Sequence, residues 1–163
     1  MYTIGVITIS DRCASGERED RSGPALQRLL KKKGYEVSFS QIIPDEINEI
    51  KRAILDACDT HKVDLLLTTG GTGLSPRDVT PEATREVIER EAPGFSEVIR
   101  QSGLKFTPYS MISRGVSGLR GNTLIINLPG SVRGSTQAIE AIMPALGHSL
   151  AKIKGDTAEC GEG

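Results

Sequence analysis

Gly70, Gly71, Thr72 and Gly73 follow the run Leu65, Leu66, Leu67, Thr68, Thr69, and Arg77, Asp78 and Thr80-Pro81 come within the next few residues. Glycines let backbone N–H groups approach an anion closely, and the neighbouring hydroxyls add donors. Asp78 supplies a hard oxygen ligand of the kind that holds the Mg²⁺ accompanying a nucleotide. This pattern predicts a phosphate-handling loop at the end of a buried strand. It is neither a Walker A loop, because Gly73 is followed by Leu74-Ser75, nor a dinucleotide fingerprint, because Pro76 stands where the third glycine belongs. From these residues alone the ligand is a Mg²⁺–phosphate compound of unspecified identity.

The elements that must position this loop alternate in type. Residues 2–10 are apolar and β-branched and read as a strand buried on both faces. Ser22-Gly23-Pro24 opens a helix that closes at Gly34. Further strands are expected over 36–43, 65–69 and 123–128. Helices are expected over 46–58, from Thr80-Pro81 until Pro93-Gly94 breaks it, over 95–102, and over 132–153 with a bend or interruption at Pro144 and Gly147. Alternation of this kind predicts an α/β three-layer sandwich, a mostly parallel sheet with helices on both faces. Residues 1–155 are expected to form a single domain and residues 156–163 a flexible acidic tail.

Sheets of this class bind ligands beyond the carboxyl ends of their strands. Four such ends carry polar groups: Ser10-Asp11-Arg12, Pro44-Asp45-Glu46, the glycine turn, and Asn127-Leu128-Pro129-Gly130-Ser131. Each also has a plain structural reading. Asp45 stands where a helix N-cap would, Asp78 can pair with Arg77, Ser131 can cap the last helix, Asn127 can satisfy a neighbouring loop, and Asp11 and Asp20 can stabilise turns. Thr80 is expected to cap the helix that begins at Pro81.

Composition narrows the classes. The 163 residues carry 20 basic and 21 acidic side chains, so no field draws the protein to nucleic acid or to a membrane surface. No run approaches ~18 apolar residues, and a cytoplasmic location is expected. Three cysteines (Cys13, Cys58, Cys160) without metal-like spacing and only two histidines leave little support for zinc or histidine-based catalysis.

The residues in combination resemble a known family. The run from Thr68 to Gly73 and the run from Pro76 to Glu82 are similar to the signature of the molybdopterin adenylyltransferases of molybdenum-cofactor biosynthesis. So are Ser10-Asp11, Asp20-Arg21-Ser22-Gly23-Pro24, Pro44-Asp45-Glu46, Ser113-Arg114 and Ile126-Asn127-Leu128-Pro129-Gly130. The resemblance implies transfer of AMP from Mg-ATP to the terminal phosphate of molybdopterin, a homotrimer, and a downstream molybdate-insertion enzyme that takes the product. It makes Asp45 and Asp78 the essential acids and candidate Mg²⁺ ligands. Gly70, Gly71, Thr72, Gly73, Pro129 and Gly130 become nucleotide-phosphate positions, and Ser10, Asp11, Ser113 and Asn127 molybdopterin-side positions. Family members that act only as molybdopterin carriers or scaffolds form the alternative. One departure touches the pterin side: a Ser-Leu pair common in the family before its Thr-Pro is Gly103-Leu104 here.

Overall fold

The computed structural model describes residues 2–157. β1 (Thr3–Ile9), β2 (Glu36–Ile43), β3 (Leu65–Thr69) and β6 (Thr123–Leu128) run parallel, β5 (Ser117–Arg120) pairs antiparallel with β6, and β4 (Arg90–Glu91) pairs antiparallel with β5 at the edge. The six-stranded order is β2-β1-β3-β6-β5-β4. Successive strand residues point to opposite faces, and both faces are apolar here. Ile4, Val6, Leu65, Leu67, Leu124 and Ile126 pack under α2 (Ser22–Lys32), α5 (Pro93–Gly103) and α6 (Val132–Ile153). Ile7, Ile9, Leu66 and Ile125 pack under α3 (Ile47–Leu55) and α4 (Thr80–Arg85). The mostly parallel sandwich expected from the sequence is the observed architecture.

The chain leaves β1 for one edge through α2 and returns to the other side of β1 through α3, so strand order reverses between β1 and β3. Such a reversal opens a crevice at the carboxyl ends of the two strands. The glycine turn after β3 and the short helix α1 (Asp11–Ala14) after β1 meet there.

Several boundaries differ from expectation. The helix after β2 ends at Leu55 and passes into a wider π-helical turn, Asp56–Thr60. The helix from Thr80 stops at Arg85, and the chain after it enters β4, which pairs with β5; periodicity cannot announce strands this short. Pro144 does not interrupt α6. It removes one N–H, but the carbonyl it would have served belongs to Glu140, an exposed residue that water reaches. Most of the expected tail lies outside the described residues. No helix among those described is long and apolar enough to cross a membrane.

At the amino end of the sheet, buried Asp64 accepts from the Thr3 amide at 2.7 Å and pairs with Lys154 at 2.7 Å, tying α6 to β1. Burial alone would raise the Asp64 carboxyl, but Lys154 and Thr3 outweigh it and hold it below the usual range. A depressed carboxyl contributes stability that is present above the unfolded-state value and lost as pH falls through the folded one. Asp64→Asn is therefore expected to lower stability at neutral pH by about 1–3 kcal/mol. Its acid limb should also be shallower than that of the parent protein, as thermal melts across pH would show.

Candidate active site

The turn after β3 needs its glycines. Gly70 has φ of 107°, and a Cβ on it would lie 2.2 Å from the Ile9 carbonyl oxygen; Gly71 has φ of 64°, with Thr80 Oγ1 at 2.3 Å from any added Cβ. The turn is thereby pressed against the end of β1. Thr80 donates its hydroxyl to the Gly70 carbonyl at 2.9 Å and its amide to the Gly71 carbonyl at 3.1 Å. Thr80 is thus an anchor for the glycine turn and not the N-cap expected of it, since α4 begins at Thr80 itself. The Gly70 amide is taken by Leu128 at 3.3 Å, which withdraws it from the expected anion-binding set. Among the described residues no acceptor is found for the amides of Gly71, Thr72 and Gly73.

The strand-end loops are tied together. Thr69 Oγ1 donates to the Pro129 carbonyl at 2.7 Å, and Ser22 Oγ donates to that of Gly130 at 2.7 Å. Ser131 caps α6 by accepting from the Gly134 amide at 3.0 Å, as its position before the helix suggests. Asp20 accepts from Thr8 Oγ1 at 2.7 Å and from the Gly23 amide at 3.1 Å, fixing the start of α2.

Two compartments adjoin over these loops. The larger, about 730 Å³, is walled by Ser10, Cys13, Arg18, Arg21, Asp45, Gly70 and Asp78 among others. The smaller, about 380 Å³, is walled by Thr72, Gly73, Ile99, Ile112, Ser113, Pro129 and Ala138 among others. Gly71, Asp78, Gly130 and Ser131 border both, so the seam between the compartments carries a carboxylate, a glycine turn and the start of α6. A helix start and free turn amides together favour an anion there.

Asp45 is not an N-cap: no side-chain hydrogen bond caps α3. Its Oδ2 accepts from the Asp11 amide at 2.8 Å, and Oδ1 faces Gly71. Burial pushes its carboxyl above the ordinary range; the charges of Asp11 and Asp78 add to the rise, against the Asp11 backbone contact and Arg77. Asp78 accepts from the Ser75 amide at 3.0 Å and makes no pair with Arg77. Arg77 instead forks onto Asp11 at 3.0 and 2.9 Å and reaches Glu46 at 2.8 Å. Among the described residues no group of three or more acidic, histidine or cysteine side chains is placed to hold a metal. Two carboxylates facing one cavity, one of them destabilised by the other's charge, fit the Mg²⁺ regime, in which phosphate oxygens and water complete the shell.

Two of the expected molybdopterin-side residues have their side chains engaged within the protein. Asn127 is 3% exposed; its Oδ1 accepts from Val116, and its Nδ2 donates to the Thr68 and Thr84 hydroxyls at 2.9 and 3.0 Å. Its carboxamide is fully occupied inside the fold, which is the plain reading of an asparagine at a strand end. Asp11 lines an outer depression and not the two compartments, with both its oxygens engaged by Arg77 and the Asp45 amide. Ser10 and Ser113 do line the compartments. Gly103 makes room for Ser110: a Cβ there would lie 2.2 Å from Ser110 Oγ, so the hydroxyl on that wall comes from position 110.

Arg114 has a role that the sequence alone did not assign. Its amide donates to the Thr72 carbonyl at 2.8 Å, its Nε to that of Gly73 at 2.7 Å, and its Nη2 to that of Asp78 at 2.6 Å, while Glu82 neutralises it. One guanidinium thus holds the glycine turn and the Asp78 backbone in register. Its place beside Ser113 in a recognised motif was the available signal.

An α/β sheet with a glycine turn and two carboxylates at its switch point is a protein of the doubly wound class. The family described as "Probable molybdopterin binding domain" matches residues 5–148, and the chain belongs to it. A molybdopterin adenylyltransferase of Helicobacter pylori is 39% identical over 163 residues, covering 98% of this chain and 92% of that protein. The Escherichia coli molybdopterin adenylyltransferase is 40% identical over 148 residues, covering 89% and 75%. The crystal structure of the molybdopterin biosynthesis enzyme MoaB from Thermus thermophilus superposes with a TM-score of 0.91 at 46% identity, over 96% of this chain and 98% of that one.

Proposed function

We propose that this protein is a molybdopterin adenylyltransferase, moving AMP from Mg-ATP onto the terminal phosphate of molybdopterin with release of pyrophosphate. The observation that carries this reading is the seam itself: Asp78, Gly71 and the start of α6 stand where two compartments of unlike chemistry meet. The larger, with Arg18, Arg21 and both carboxylates, suits a triphosphate. The smaller, with Ile99, Ile112 and Ala138 as apolar walls and the hydroxyls of Ser110 and Ser113, suits a flat heterocycle with polar edges. Reaction at the seam requires the two substrates to present their phosphates to each other.

An oxygen of the molybdopterin phosphate attacks the α-phosphorus of ATP, and the bond from that phosphorus to the bridging oxygen breaks, its electron pair leaving with pyrophosphate. The attacking monoester is already ionised near neutrality, so no general base is needed. The difficulty lies in bringing two anions together, which is a matter of positioning and charge stabilisation. The amides of Gly71, Thr72 and Gly73 can receive the charge gathering on the transferred group without reorganising. Asp45 and Asp78 would hold Mg²⁺, which when bound neutralises the phosphates. Arg114 keeps the turn and the Asp78 backbone fixed while this happens. On this reading the protein is a cytoplasmic homotrimer whose product passes to a molybdate-insertion enzyme; family resemblance supports these last points.

The test is transfer of label from α-labelled ATP into molybdopterin by purified protein with Mg²⁺, in step with pyrophosphate release. Molybdopterin binding without label transfer would replace the enzyme by a carrier. Hydrolysis of ATP without label in the pterin would contradict both.

A further inference from the structure

Asp11 and Asp45 exchange backbone-to-carboxylate hydrogen bonds across two strand ends. The Asp11 amide donates to Asp45 Oδ2 at 2.8 Å, and the Asp45 amide donates to Asp11 Oδ1 at 3.0 Å. The parallel ladder closes with Ile9 opposite Ile43 and the Ser10 amide donating to the Ile43 carbonyl at 2.9 Å, and just beyond it this pair of bonds holds the two strand-end loops together. With Oδ2 engaged, only Oδ1 of Asp45 remains toward the glycine turn. Asp11 itself is held from outside by the two-pronged contact with Arg77, whose Nη2 also meets Glu46.

We infer that Asp11 is a positioning residue for the adenylyl-transfer reaction: locked by Arg77, it fixes the Asp45 backbone and presents Asp45 Oδ1 to the reacting phosphates. The assignment rests on the proposed role of Asp45. The ion pairs among Arg77, Asp11 and Glu46 are half-exposed, with side-chain exposures of 55, 42 and 55%. Exposed pairs contribute little to stability, so stability gives no account of why three charged side chains converge here. Geometry does: a planar guanidinium bound through two nitrogens fixes the orientation of a carboxylate as well as its distance. A carboxylate in the reacting centre that is free to turn loses rate steeply, since misplacement by about 1 Å can cost about a hundredfold.

Three variants of the full chain test this. In Asp11→Ala the Asp45 amide loses its acceptor and the loop loses its hold on Arg77, while the amide of residue 11 remains, and kcat for AMP transfer is expected to fall about ten- to a hundredfold. KM for ATP should stay within about twofold, the mark of an interaction that matters in the transition state. Asp11→Asn keeps an oxygen for the Asp45 amide but turns an NH2 toward Arg77 Nε, so it should recover part of the lost rate. Asp45→Ala serves as the reference for loss of the carboxylate itself. Amide hydrogen exchange supplies a readout independent of activity: Asp45 N–H should exchange faster in Asp11→Ala and remain protected in Asp11→Asn. Wild-type kcat in Asp11→Ala would overturn the positioning role, as would an alanine defect that asparagine leaves unrepaired while protection at Asp45 is unchanged. A fully active Asp45→Ala would instead overturn the role of Asp45, and the inference with it.

Discussion

Asp45→Asn is expected to cut AMP transfer sharply and at the same time to raise the melting temperature of the protein near neutral pH. The two effects have one cause. The Asp45 carboxylate is removed from water, and the nearby charges of Asp11 and Asp78 push its protonation in the same direction, above the ordinary aspartate range. A carboxyl raised in the folded state binds its proton more tightly there than in the unfolded chain. Stability then falls as pH climbs from the unfolded value, about 3.9, through the folded one, and stays reduced above it. Asparagine preserves an acceptor for the Asp11 amide and removes the charge, so the penalty disappears. Melting curves of parent and variant should converge below about pH 4 and separate in favour of the variant as pH rises. Label transfer from ATP should drop by about two to three orders of magnitude, the scale seen when one electrostatic element of a phosphoryl or acyl centre is removed. A destabilised, inactive variant would mean that Asp45 is held for the fold, and a stabilised, active one that its charge has no part in transfer.

This trade of stability against function explains which parts of the molecule were legible in the sequence. The parallel core was legible because strands buried on both faces show unbroken apolar runs, and Leu65, Leu66 and Leu67 or Leu124, Ile125 and Ile126 have no other plausible fate. Asp45 was legible as an acid at a strand end and Asp78 as an acid just beyond the glycine turn. The site was less so wherever its meaning depends on partners remote in the chain. Nothing local says that Arg77 turns from its neighbour Asp78 toward Asp11, or that Arg114 reaches back to Gly73 and Asp78. Asn127 shows the same limit from the other side. A polar residue ending an apolar strand signals a need for hydrogen bonds, but only the tertiary structure shows that Val116, Thr68 and Thr84 meet it. The strands Arg90–Glu91 and Ser117–Arg120 escaped because two to four residues are too few to display alternation, and because pairing with a neighbour, not their own pattern, makes them strands.

Gly70→Ala should be the most destabilising single-methyl change in the glycine turn, at about 3–5 kcal/mol, or roughly 10 °C in melting temperature for a chain of this size. Two independent penalties add. A φ of 107° lies where a side chain is strained at about 1–3 kcal/mol. The new methyl would also sit 2.2 Å from the Ile9 carbonyl oxygen, a backbone atom that cannot swing aside without moving the end of β1. Gly130 presses from the other side, since its own Cβ position lies 3.1 Å from the Gly70 Cα. The turn therefore cannot relax away from β1 without disturbing the loop that follows β6. Gly71→Ala provides the contrast. Its φ of 64° also strains a side chain, and its methyl would meet Thr80 Oγ1 at 2.3 Å and Asp45 Oδ1 at 3.0 Å, but these are side-chain atoms and not the backbone of a neighbouring strand. That variant should melt closer to the parent and yet lose AMP transfer, because what moves is the anchor of the turn and the carboxylate facing the phosphates. Equal melting temperatures for Gly70→Ala and the parent would show that β1 and the turn are not in the contact described. Full activity in a folded Gly71→Ala would remove the turn from the phosphate site.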